Sequence, residues 1–146
     1  MTVKKADQLV WICDACHRPI ANGKGAVFVR YSERKAYRDG QVELKRKGKV
    51  VGPKRGRHLV LTSLADLMEA ADPAPWWAMH HKCDPTPGDC AYWFDVARIR
   101  TVLDVLRWTH HLLEKNWLGE TDWRDLIGGV VYSPTNQSAK ASGGNA

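Results

Sequence analysis

Residues 94–118 read FDVARIRTVLDVLRWTHHLLEKNWL, and their spacing decides the fold. Val96, Ile99, Leu103, Leu106, His110, Leu113 and Trp117 step by three and four, which predicts one long helix. A second apolar row, Val105, Trp108 and Leu112, lies about a third of a turn away. Only Arg100, Asp104, Arg107, His111 and Glu114 are left as a polar strip, and their charges cancel. A helix apolar over most of its circumference packs on more than one side, so this one is expected at the centre of the domain. His110 falls inside the apolar arc and is expected as a hydrogen-bonded core residue.

Downstream, Gly119 is placed to stop the helix, and Thr121 or Asp122 to cap a short one with Trp123, Leu126 and Ile127 facing inward. Residues 133–146 (SPTNQSAKASGGNA) are small and polar and are expected to be disordered. Upstream, Leu9–Ile12, Ala26–Tyr31 and His58–Leu61 are rich in β-formers and predict short strands. Thr62-Ser63 with Asp66 predicts a helix to Ala71, ended by Asp72-Pro-Ala-Pro75. The expected class is α+β: a small antiparallel sheet on one long C-terminal helix, with a short terminal helix after it. The chain is long enough for one domain, placed at 1–132.

The net charge of +6 is unevenly spread. Between Arg30 and Arg57 there are eleven basic residues against three acidic ones, while the remainder is slightly acidic. Asp39-Gly40 and Lys47-Gly48 are turn signals, and Val42 and Leu44 alternate with charged neighbours. The segment about 30–57 is therefore expected as a basic β-wing inserted in the domain. Arg34, Lys35, Arg38, Lys45, Arg46, Lys47, Lys49, Lys54, Arg55 and Arg57 are its candidate phosphate contacts. The sequence has no apolar run of about 18 residues. Asp7 and Gln8 follow the first lysines where a secretion signal would be apolar. A reducing cytoplasm is expected, where paired cysteines more often bind metal than form disulfides.

Cys13-Asp-Ala-Cys16 is a two-thiolate clamp for a tetrahedral ion, and His80-His-Lys-Cys83 repeats its spacing after Trp76-Trp77. Cys13, Cys16, His80 and Cys83 are the leading ligand set for one Zn²⁺. Two alternatives stay open: Cys90 paired with Cys83, and His81 in place of His80. His17, directly after the clamp, is expected beside the ligands or exposed, and His58 has no identifiable partner. These half-sites resemble a treble-clef or LIM-type zinc finger, in which a Cys-x2-Cys knuckle precedes a hairpin and a Trp-bearing strand leads to His-x2-Cys. The 63 residues between Cys16 and His80 are far more than that family has, so the resemblance implies a large insertion.

Three functions follow as expectations. The first is a zinc-stabilised nucleic-acid-binding regulator of a bacterium or phage, with DNA the expected partner of the basic wing. The second is a non-enzymatic zinc-finger module docking an acidic protein surface. His80-His81 also resembles the HNH nucleases, but the Asn and His of their metal helix have no counterpart beyond His110 and His111. No Ser-His-Asp set, paired-carboxylate site or phosphate-cradling glycine loop is recognisable, so a catalytic role has no positive sign. Seven tryptophans could stack bases, but Trp108, Trp117 and Trp123 lie at core-packing spacings.

Overall fold

The computed structural model describes residues 8–47, 49–51, 59–61 and 72–132. The expected tail at 133–146, the expected helix up to Ala71, His58, and Lys54, Arg55 and Arg57 lie outside the described residues. The class is α+β. A three-stranded antiparallel sheet runs in the order β4-β1-β5, with β1 at Gly25–Val29, β4 at Trp76–His80 and β5 at Tyr92–Asp95. A separate antiparallel pair joins β2 (Lys49–Val51) to β3 (Leu59–Leu61). The helices are α1 (Tyr31–Lys47), α2 (Val102–Leu112) and α3 (Trp123–Tyr132).

Every residue of β1 is buried, because the central strand is covered on both faces. Side-chain alternation puts Val27 and Val29 on one face with Trp76, Ala78, Tyr92 and Phe94. That face meets the main core. Trp76 lies at its heart, with ring centroids 5.0 Å from Trp123, 5.9 Å from Phe94 and 6.1 Å from Trp117. The indole N–H groups of the most buried tryptophans all donate: Trp11 to the Ile99 carbonyl (2.7 Å), Trp76 to Thr121 Oγ1 (2.9 Å) and Trp123 to Thr109 Oγ1 (3.1 Å). These three indoles are thereby buried without orphaned donors, whereas the Trp108 N–H is buried with no partner among the described residues.

Two expectations are corrected. The segment 94–118 is not one helix. Tyr92–Asp95 is a strand, Val96–Ile99 a 3₁₀ turn capped by Asp95, and α2 begins only after Thr101. Thr101 and Asp104 form a reciprocal capping box: the threonine hydroxyl accepts from Asp104 N, and the Asp104 carboxylate accepts from Thr101 N. Asp104 therefore works at the helix start and not in a salt-bridged strip. The buried row is Val105 and Leu112, with Trp108 half-buried beside them. Leu103, Leu106, Leu113 and His110, expected inward, are exposed.

The second correction is the basic wing: Tyr31–Lys47 is the helix α1. Arg, Lys, Glu, Ala, Leu and Gln are good helix formers, and together they outweigh about 1 kcal/mol for Gly40. Lys35–Asp39 (2.7 Å) and Glu43–Arg46 (2.5 Å) pair along its surface. At its start Asp89 accepts from Ser32 N (2.9 Å) and from the Ser32 hydroxyl, a carboxylate at the positive end of a helix. α3 runs through Gly128-Gly129 to Tyr132.

Candidate metal centre

The knuckle is made by a short stretch of chain folding back on itself. Ile12 bridges Pro19, Ile20 N donates to the Trp11 carbonyl (2.8 Å), and Cys13 N donates to the Arg18 carbonyl (2.9 Å). His17 closes the turn with φ of 61°, and its N–H reaches the Cys13 carbonyl at 2.8 Å. Asp14 ties the knuckle to β4 at two points, donating from N to the Ala78 carbonyl (2.7 Å) and accepting from Ala78 N at its carboxylate (2.8 Å). His80 is two residues further along β4, so this clamp sets the second half-site against the first. Gly25, paired with His80 in the sheet, permits the approach: a Cβ there would meet Ile20 Cγ2 and the Met79 carbonyl, both at 2.5 Å.

Cys13, Cys16, His80 and Cys83 are brought together with their donor atoms all within 4.8 Å of one another, a grouping that could hold a metal ion. Cys13 is fully buried, Cys16 exposed, and the other two lie between. His80 Nδ1 faces the sulfurs, 3.3 Å from Cys16 Sγ and 3.9 Å from Cys83 Sγ. Its Nε2 lies 3.1 Å from the Pro19 carbonyl. A carbonyl only accepts, so Nε2 carries the proton and Nδ1 is the atom presented as ligand. Cys83 sits in the single 3₁₀ turn His81–Cys83 that follows β4.

The thiols are tuned in opposite directions. Burial works against ionisation of Cys13, but backbone N–H groups of Cys16, His80 and Ala15 and the His80 side chain outweigh it and hold the thiol down at about 6. Burial, then hydrogen bonds and charge from Cys16 and Cys13, push Cys83 up to about 11. Three sulfurs this close do not all ionise without a cation among them.

The alternative ligands are not brought into the cluster. Cys90 lines a separate hollow, where burial raises its pKa. His81 points away, edge-on to Trp93 at 6.3 Å. His17 is exposed.

Six of the candidate phosphate contacts, Arg34, Lys35, Arg38, Lys45, Arg46 and Lys47, lie along α1. Arg34 (3.6 Å) and Arg38 (3.0 Å) both pair with Glu120, and the Arg34 guanidinium lies over Trp117 at 4.7 Å. Lys35 and Arg46 pair within α1, and Lys45 is exposed. Lys47 and Lys49 fall in α1 and β2. Arg30 is a buried structural cation, held by Asp84 (3.2 Å) and Thr86 over the ring of Phe28. Sequence reasoning missed Pro19, whose contribution is a backbone carbonyl, and Asp14, whose only signal is its place inside the knuckle.

Comparison of the chain with protein-family models, with curated proteins and with solved structures returns no match.

Proposed function

We propose that this chain is a zinc-stabilised, non-catalytic domain that binds nucleic acid. The observation that carries the metal half is the convergence of three cysteines and one histidine with donors within 4.8 Å. Three thiolates and an imidazole are a structural zinc set, and four protein ligands leave no open position for a reacting water. In this reading Cys13–Cys16 is the knuckle of a treble-clef-like finger, and a 3₁₀ turn stands where such a finger would start its helix. His80 is occupied through both ring nitrogens, so it offers no free base for nuclease chemistry. Charge supports the nucleic-acid half. The chain is +6, and beside the knuckle Arg18, Lys24 and Lys82 are exposed with no ion pair among the described residues.

Elemental analysis of the purified protein should find one zinc per chain, lost on Cys16→Ser or His80→Ala, and chelation should lower the melting temperature sharply. Absence of zinc, or a melt indifferent to chelator, overturns the metal half. The zinc-loaded protein should bind labelled single- and double-stranded oligonucleotides more tightly than about 0.1 mM at moderate salt, and less tightly as salt rises. Binding to neither overturns the nucleic-acid half.

A further inference from the structure

Two hollows adjoin beside the β4-β1-β5 sheet, the first of them on the face turned away from the main core. The first, about 230 Å³, has Ala26, Phe28 and Met79 as its floor and Trp93, His81 and Pro87 in its walls. The second, about 430 Å³, is lined by Pro19, Gly23, Lys24 and Lys82. His80 and His81 line both, so the two adjoin. The ladder explains the layout. Alternation along β1 puts Lys24 on the same face as Ala26 and Phe28, and His81 N donates to the Lys24 carbonyl at 3.0 Å. Lys24 and Phe28 are thus about 13 Å apart along the strand.

The two hollows differ in chemistry. Trp93 is 60% exposed, although it pairs across the sheet with buried Phe28. The hollow beside it is smaller than the about 300–1,000 Å³ that holds a whole drug-sized ligand, and suits one flat ring. Its acidic wall residue, Asp84, is tied to Arg30. Asp95, at the sheet edge, accepts from the backbone N–H groups of Gly23 (3.1 Å) and Ala97 (2.8 Å). The second hollow presents the exposed ammonium groups of Lys24 and Lys82.

We infer that the two hollows form one binding site for single-stranded nucleic acid, a base stacking on Trp93 above the Phe28–Met79 floor and neighbouring phosphates lying along Lys24 and Lys82. An aromatic platform joined to a cationic groove is how proteins hold unpaired strands, and a base inside a duplex is not free to enter such a hollow. The site rests on the nucleic-acid reading above and specifies its place and its preferred form. Its residues are not those of the basic segment.

The test is a salt titration of the zinc-loaded full chain with labelled oligo-deoxythymidine and oligo-uridine of about 12 nucleotides, within the usual span of such sites. A duplex and polyglutamate serve as comparison ligands. Trp93→Ala should weaken single-strand binding by about tenfold, with Trp93→Phe recovering most of it. Lys24→Ala with Lys82→Ala should flatten the log–log salt slope by about 1.4. Lys45→Ala with Arg46→Ala should leave single-strand affinity unchanged. All are surface positions, so an unchanged melting curve separates lost contacts from lost folding.

Single-strand binding unaffected by the Trp93 and lysine variants overturns this site and leaves the nucleic-acid reading standing. So does a preference for duplex insensitive to Trp93. Binding to polyglutamate but to no nucleic acid overturns both and makes the surface a docking site for acidic protein. No binding by the wild type to any oligonucleotide also overturns both.

Discussion

His80 is fixed from two sides, by the Pro19 carbonyl at one ring nitrogen and the cysteine sulfurs at the other. The ring has no need to reorient when an ion arrives. The proton traffic falls instead on the thiols. Without metal, Cys13 at about 6 is already ionised at pH 7.5, while Cys83 at about 11 still holds its proton. Metal binding there should therefore release the Cys83 proton. As pH falls through about 6, Cys13 takes up a proton that must also leave, so affinity should drop more steeply below that point. Titration calorimetry in buffers of different ionisation heat measures the count; no buffer dependence at pH 7.5 would contradict the expected release. The four clustered donors were legible in the sequence, because Cys-x2-Cys and His-x2-Cys spacing is a property of side chains. The Pro19 carbonyl and the close passage at Gly25 were not, since backbone positions have no residue code.

At the scale of the element, α2 is the instructive case. Its apolar residues occupy so much of the circumference that periodicity offers two rows and does not say which faces the core. The structure buries the Val105–Leu112 row and leaves Val102, Leu103, Leu106 and Leu113 in water, an exposed arc of about 100°. What decides the rotation is the start of the helix. The capping box at Thr101 and Asp104 and the bridge from Gln8 to Thr101 fix which side meets Trp11, Phe94 and Trp123. Leu112→Ala should cost about 2–5 kcal/mol by opening a cavity. Thr101→Ala should cost about 1 kcal/mol through the cap. Leu106→Ala, at a residue 65% exposed, should stay within about 0.5 kcal/mol. Urea unfolding of the three variants checks the order, and equal losses at Leu106 and Leu112 would refute this rotation. α1 escaped sequence reading for the opposite reason. Val42 and Leu44 imitate strand alternation, but no turn forms at Asp39-Gly40 once the helix is continuous from Tyr31.

For the molecule as a whole, the concentration of positive charge was plain in the sequence, but its neutralisation was not. Glu120, Asp84 and Asp89, each far along the chain, bind Arg34 and Arg38, Arg30, and the start of α1 respectively. A cation count along a sequence cannot see such partners, so the basic segment becomes a means of docking α1 on the body. The sheet order has a separate consequence for synthesis. β1 lies between two strands that both come later in the chain, β4 ending at His80 and β5 at Asp95. A growing polypeptide therefore exposes an entirely apolar five-residue strand, both edges bare, until most of the chain has left the ribosome. A chain ending at Ala91, which has β4 and all four donors but no β5, should accumulate in the insoluble fraction while the full chain stays in solution. Slowing translation between residues 30 and 76 should likewise lower the soluble yield, because the interval in which β1 waits for a partner is set by the rate of elongation.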